Sequence, residues 1–168
     1  MTEFVIDVQV NKDHIWTSAD KLQSLCDKLV PLALHHARNA HRFAVQDVLE
    51  ASFLFTNDTR VQSLNKTYRG QDSPTNVLSF PLDDDAEILG PMLGDIVLSG
   101  ETLVREVETL ELTFDDHLSH LIIHGFLHLL GYDHIEDDEA EVMESLEIEI
   151  LAEFGIGNPY SETVLVHD

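Results

Sequence analysis

The chain has little with which to staple itself, anchor itself or grip a polyanion. Of its 168 residues one is cysteine, Cys26, so an intrachain disulfide is impossible. No apolar run approaches the roughly 20 residues that a membrane helix needs. The first ten residues alternate apolar and polar side chains where a secretory signal would show a continuous apolar stretch, and no internal repeat is present. Basic side chains are scarce and uneven. Residues 1 to 69 hold eight acidic and eight basic side chains, whereas residues 70 to 168 hold twenty-four acidic and one basic, Arg105, for a net charge of −23. Each shortage excludes something. The lone thiol falls on the apolar stripe Leu22, Leu25, Cys26, Leu29, which suits packing, and without an export signal it fits a reducing cytosol. A cytoplasmic protein with no membrane partner is expected. A body without a basic face lacks the usual means of neutralising phosphates, so composition alone argues against RNA or DNA. The excess acid, in Asp83, Asp84, Asp85 and Glu87 and again from Asp137 to Glu149, reads as a loop and a solvated helix face.

What is present is enough for one domain with a real core, spanning residues 1 to 168, with about residues 159 to 168 as a loosely ordered tail. Four strands are predicted: one through Phe4, Ile6, Val8 and Val10, then Val48 to Phe55, Asn76 to Phe80 closed by Pro81, and Gly94 to Leu98. Between the first two, a helix capped by Ser18 should be kinked or interrupted at Pro31 before running on to about Ala40. Asp58 is the expected cap of a short helix with Val61, Leu64 and Tyr68 inward, ending near Arg69 and Gly70. Helices dominate after Ser99. The first turns Leu103, Val107 and Leu110 to one side. The second is capped by Thr113 with Asp116 in the third position. The last begins near Asp137, presents Ala140, Met143, Leu146, Ile150 and Phe154 inward, and ends by Gly155. Strands alternating with helices, then helices alone, give the class α/β, one sheet packed by about five helices.

The strongest signal is H-x3-H-x5-H, formed by His124, His128 and His134, with Gly131 between the last two. On a helix the first pair is separated by about 6 Å of rise and nearly a full turn, so both rings leave one face. Continued helix would carry His134 roughly 240° around the axis and about 9 Å further along it. The helix must therefore stop, and Gly131 sits where a left-handed cap reverses the chain at least cost. Three neutral imidazoles suit zinc and leave a fourth tetrahedral position open, as catalytic sites do; nickel and cobalt would accept the same set. His120, one turn earlier, is better placed to hold a ligand ring or contact substrate than to bind metal.

The spacing invites comparison with metzincin peptidases, H-E-x-x-H-x-x-G-x-x-H, whose glutamate is the general base. Gly125 stands where that glutamate should be. Losing a positioned base costs about 10² to 10⁴ in rate, so peptide hydrolysis by that route is disfavoured. Phosphoryl chemistry remains open, because a metal that activates water needs beside it a cation for the charge developing at phosphorus. Arg69, at the end of the short helix, has the planar fork for two phosphate oxygens.

His124 to His134 read H-G-x-L-H-L-x-G-Y-D-H. With Tyr68, Arg69 and Gly70, the stretch Pro74 to Pro81, and Leu93 to Ile96, the chain resembles the YbeY family of bacterial metal-dependent endoribonucleases over about residues 55 to 155. The resemblance implies a mostly four-stranded mixed sheet flanked by a zincin-like metal helix. It implies zinc at His124, His128 and His134, and a catalytic role for Arg69 beside His124. The activity implied is cleavage of single-stranded RNA in ribosomal RNA maturation, at the 3′ end of the small-subunit RNA, and in ribosome quality control. Lys66, Thr75, Asn76, Ser79 and His120 are then candidates for substrate contact. Asp133 could take a proton, orient a ligand, or only stabilise the turn after Gly131, and the attacking oxygen could be water or a 2′-hydroxyl. Two routes would reconcile RNA with the acidic body. Arg60, Lys66 and Arg69, extended by Lys28, Arg38 and Arg42, could focus a positive cleft at the metal. Alternatively, small-subunit or assembly-factor partners could dock on the acidic helix around Glu141, Glu144 and Glu149. The alternatives are a metalloprotease-like hydrolase and a non-catalytic, zinc-stabilised assembly factor.

Overall fold

Alternation along the strands decides which residues face which layer of helices. In a computed structural model, which describes residues 2–11 and 15–161, the elements run β1 (Glu3–Val10), α1 (Ala19–Ala40), β2 (Ala44–Val45), β3 (Val48–Thr56), α2 (Asp58–Arg69), β4 (Val77–Pro81), β5 (Ile88–Leu89), β6 (Met92–Ser99), α3 (Gly100–Leu110), α4 (Phe114–Leu129) and α5 (Asp137–Glu153). The main sheet has the order β1-β3-β6-β4, with β1, β3 and β6 parallel and β4 antiparallel at the edge. This is the expected α/β architecture. The unforeseen pair β2–β5 has only two residues per strand, too few to leave an alternation in the sequence. One face of the sheet, through Phe53, Phe55, Val77, Ile96 and Leu98, joins the main core under α1, α4 and α5. The other, through Leu54, Leu78, Val97 and Phe80, packs Val61 and Leu64 of α2. Helices α2 and α4 therefore lie on opposite sides of the sheet.

Several local expectations are corrected. Helix α1 runs unbroken through Pro31, with Leu29, Val30, Ala33, Leu34 and Ala37 buried around it. At about 1.5 to 3 kcal/mol per buried aliphatic side chain, that packing outweighs the roughly 3 kcal/mol a mid-helix proline costs. Cys26 is buried as predicted, and burial, with the charge of Asp27, pushes its thiol far up. Asn57, not Asp58, caps α2, accepting from the Arg60 amide at 3.0 Å. Asp58 is the first helical residue and accepts from Ser99 Oγ at 2.5 Å, Thr102 Oγ1 at 2.6 Å and Arg105 Nη2 at 2.8 Å. Burial pushes this carboxyl up, but the three hydrogen bonds and the Arg105 charge outweigh it and hold the group below the usual range. Tyr68 is exposed, its ring edge-on to Phe80. In α3 the buried side chains are Thr102, Leu103 and Glu106, while Val107 and Leu110 are half-buried. Glu106 is absorbed by hydrogen bonds from Asn76 Nδ2 and His117 Nε2, so a polar residue takes a core position.

Helix α4 starts as read, with Thr113 accepting from the Asp116 amide at 3.3 Å, and is buried over most of its length. It touches the sheet most closely at Gly125. An added Cβ there would lie 2.9 Å from Ile96 Cγ2 and 3.1 Å from Ser79 Oγ, and Ser79 Oγ donates to the Gly125 carbonyl at 3.0 Å.

Two outcomes follow from these contacts. Gly125→Ala should lower stability in urea denaturation by about 1 to 3 kcal/mol through overpacking, and Gly125→Glu by more. Asp58→Asn should lower it by about 1 to 3 kcal/mol at neutral pH. Because the Asp58 carboxyl is depressed in the fold, its contribution is complete above an unfolded value of about 3.9 and fades as pH falls through the lower folded value. The gap between wild type and variant should therefore close on acidification below about pH 4.

Candidate metal centre

The turn at the end of α4 does what the spacing requires. The Gly131 amide donates to the His128 carbonyl at 3.0 Å and the Tyr132 amide to the Leu127 carbonyl at 3.1 Å, with Gly131 at φ 102°. This pair of bonds is a Schellman closure, and it reverses the chain within two residues. Tyr132 then anchors the turn on the loop after α1, its hydroxyl 2.8 Å from His41 Nδ1; burial pushes that phenol up to about 12. Asp133 Oδ1 accepts from the His134 amide at 2.8 Å, so its turn-stabilising role is present.

The three rings converge as a result. Their centroids lie 4.6 Å (His124–His128), 5.3 Å (His124–His134) and 5.2 Å (His128–His134) apart, and the ligand-capable atoms all lie within 4.8 Å of one another. His124 Nε2 and His128 Nε2 face each other at 3.1 Å. Two nitrogens on a tetrahedral zinc with bonds of about 2.0 to 2.1 Å would be about 3.3 Å apart, so the donor set fits such an ion.

Behind His124 stands a residue that the sequence had been read past. Glu147, assigned with its neighbours to a solvated acidic face, has no solvent exposure. Its Oε1 accepts from His124 Nδ1 at 2.6 Å, and its Oε2 accepts from His120 Nε2 at 2.9 Å and from the Tyr160 hydroxyl. Burial alone would push this carboxyl up, but the hydrogen bonds from His120 and His124, and the charges those rings can carry, hold it well below the usual carboxylate range. Tyr160 is pushed far up, by burial first and then by Glu147 and Glu144. The signal was available: Met143, Leu146, Glu147, Ile150 and Leu151 share one buried stripe of α5. Tyr160 belongs to the segment expected as a loosely ordered tail. Residues 162 to 168 lie outside the described residues, but Tyr160 is packed edge-on against His120, with ring centroids 5.4 Å apart. A cavity of about 220 Å³ beside the triad is lined by His124, His134, Ala140, Met143, Glu144, Glu147 and Tyr160.

The other expected site residues are spread differently. His120 points at Glu147 and not into the triad. Asn76 is buried on Glu106, Ser79 is buried on Gly125, and Thr75 is buried with no hydrogen-bond partner for its hydroxyl among the described residues. All three side chains, on β4 or just before it, are buried. Lys66 is exposed and pairs with Asp72 at 3.8 Å. Arg60 lines a cavity of about 410 Å³ on the α2 side of the sheet with Asp7 and Asp95, so it does not extend a positive cleft at the metal helix. Arg69 lies against the edge strand β4. Its Nη2 donates to the Ser79 carbonyl at 2.6 Å and its guanidinium lies 5.6 Å from the centre of the Phe80 ring. Since Asn76 and Leu82 pair with β6 through their own backbone groups, the alternation of an antiparallel ladder turns the Ser79 carbonyl outward at the free edge. Ser79 thus carries Arg69 on its carbonyl and the metal helix on its hydroxyl.

Gly125 faces the sheet, so the position of the peptidase glutamate is closed to any side chain. Among the described residues no helix is long and apolar enough to cross a membrane.

Known proteins resemble this chain over most of its length. The family model described as endoribonuclease YbeY matches residues 7–155. A Rhizobium meliloti protein named endoribonuclease YbeY is 47% identical over 161 residues, covering 94% of this chain and 96% of that protein. One of the same name from Allorhizobium ampelinum is 44% identical over 169 residues, covering 99% and 100%. The solution structure of TM1509 from Thermotoga maritima superposes with a TM-score of 0.55 at 25% identity, covering 98% of this chain and all of that one. With that much of its length matched, the chain belongs to the YbeY family of endoribonucleases.

Proposed function

We propose that the protein is a zinc-dependent endoribonuclease of the cytoplasm that cuts single-stranded RNA, acting in maturation of the 3′ end of small-subunit ribosomal RNA and in ribosome quality control. The observation that carries this is the convergence of His124, His128 and His134 on one point, with a cavity of about 220 Å³ beside it. Family membership and the names of the relatives supply the RNA substrate.

His124, His128 and His134 would hold the ion, zinc first and another divalent transition metal as a substitute. Bound there, it would polarise a phosphoryl oxygen and lower the pKa of water toward about 7. Glu147 holds the His124 ring from behind. Arg69 grips the phosphate: a guanidinium has five N–H donors, so anchorage on the Ser79 carbonyl is compatible with a two-point hold on phosphate oxygens. Asp133, already tied to the His134 amide, keeps the third ligand in register. The acidic outer face of α5 is the surface for a basic small-subunit or assembly-factor partner. Because Glu144 lines the metal-side cavity and His36 pairs with Glu149 and Glu153, Asp138, Glu139 and Glu141 are the acids whose neutralisation tests docking alone.

Cleavage of a defined single-stranded RNA by purified protein tests the proposal. Chelator should abolish cleavage and added zinc restore it. His128→Ala should be inactive, and Arg69→Ala should cut about 10² to 10³ times more slowly while keeping its fold. Intact RNA after incubation with the zinc-loaded wild type would refute the assignment.

A further inference from the structure

The three-histidine set does not by itself decide which nitrogen of each ring faces the ion. For His124 the surroundings do. Its Nδ1 lies 2.6 Å from Glu147 Oε1 and its Nε2 lies 3.1 Å from His128 Nε2, so one side of the ring is committed to a carboxylate and the other to the triad. A carboxylate accepts and does not donate, which requires the proton on Nδ1 and leaves the Nε2 lone pair for metal.

That arrangement holds only if Glu147 cannot turn. Its second oxygen is fixed twice, by His120 Nε2 at 2.9 Å and by the Tyr160 hydroxyl. Tyr160 comes from the segment after α5, which is itself built. The Ile156 amide donates to the Leu151 carbonyl at 2.8 Å, the Tyr160 amide to Asn158 Oδ1 at 2.8 Å, and Ser161 Oγ to the Asn158 carbonyl at 2.9 Å. The segment crosses the end of α5 and delivers one phenol to a buried carboxylate. The same phenol lines the metal-side cavity.

We propose that Glu147 and Tyr160 are a positioning pair for the metal centre: Glu147 fixes the tautomer and orientation of His124, and Tyr160, carried by the segment beyond α5, locks Glu147. This rests on the metal reading of the triad and adds to it that metal affinity is set partly from outside the H-x3-H-x5-H motif. Carboxylates and their partners behind ligand histidines are worth about 10- to 100-fold in metal affinity.

The experiment uses the full chain, freed of metal, and reads zinc affinity by competition with a chromophoric chelator, with no RNA present. Glu147→Gln should weaken zinc binding by about 10- to 100-fold. Tyr160→Phe, which removes one hydroxyl from a pocket it still fills, should weaken it by several-fold. Nitrogen-15 NMR of the histidine rings should find His124 as the Nδ1–H tautomer in wild type and a mixture in both variants. A merely structural role would lower the melting temperature and leave affinity and tautomer as they were. If Tyr160→Phe, folded by circular dichroism, keeps wild-type affinity and tautomer, the pair is refuted even should Glu147→Gln fail to fold. A wild type that binds no zinc refutes the pair together with the metal reading. A wild type that binds zinc with both variants weakened, yet leaves RNA intact, supports the pair and removes only the endoribonuclease assignment.

Discussion

A carboxylate with no access to water is the constraint that joins the helices of this fold. Burying an ionised Glu147 unpaired would cost several kcal/mol even after relaxation, and no single element supplies what it needs. Its partners come from α4, through His120 and His124, and from the segment after α5, through Tyr160. Helices α4 and α5 must therefore meet in one register, and the chain beyond α5 must return across them. A second buried carboxylate, Glu106, ties α3 to α4 and β4 through His117 and Asn76. The metal helix is held by charge and hydrogen bonding on two sides and by close backbone contact at Gly125 on a third. A metal site must keep its ligands within a few tenths of an ångström, and this helix is buried over most of its length.

Much of this was legible in the residues. The four long strands show the alternation or the apolar runs that half-buried and fully buried strands require, and the reversal at Gly131 follows from asking how His134 could reach His128. What was not legible was polar burial. Glu147 lies among acids on a helix that begins Asp137, Asp138, Glu139, so its charge grouped it with the surface, although its position on the apolar stripe placed it inside. Asn76 and Ser79 are polar residues whose burial no periodicity marks, and each meets a buried partner. Arg60 and Arg69 share one helix, and α2 lies across the sheet from α4, with Arg69 meeting the edge strand at the Ser79 carbonyl. Layer assignment depends on strand order, which one-dimensional periodicity does not contain.

The charge distribution takes a different meaning once the elements are placed. The half of the chain with no base but Arg105 uses that base internally, on Asp58. Elsewhere histidine meets the acidic side chains, as where His36 of α1 lies against Glu149 and Glu153 of α5. With nine basic side chains against thirty-two acidic ones, the chain has little with which to make a broad phosphate-binding face. Affinity for RNA in such a body has to come from a few points where field is concentrated by low-dielectric walls.

The single thiol gives the molecule a chemical temperament. Cys26 is sealed inside α1 and held in its unreactive protonated form, while the candidate metal centre is all imidazole nitrogen. Zinc centres built on thiolates fall apart when peroxide or disulfide exchange converts their sulfurs. Neither reagent finds a ready cysteine target here, so an ion held by the three imidazoles would have no thiolate ligand to lose.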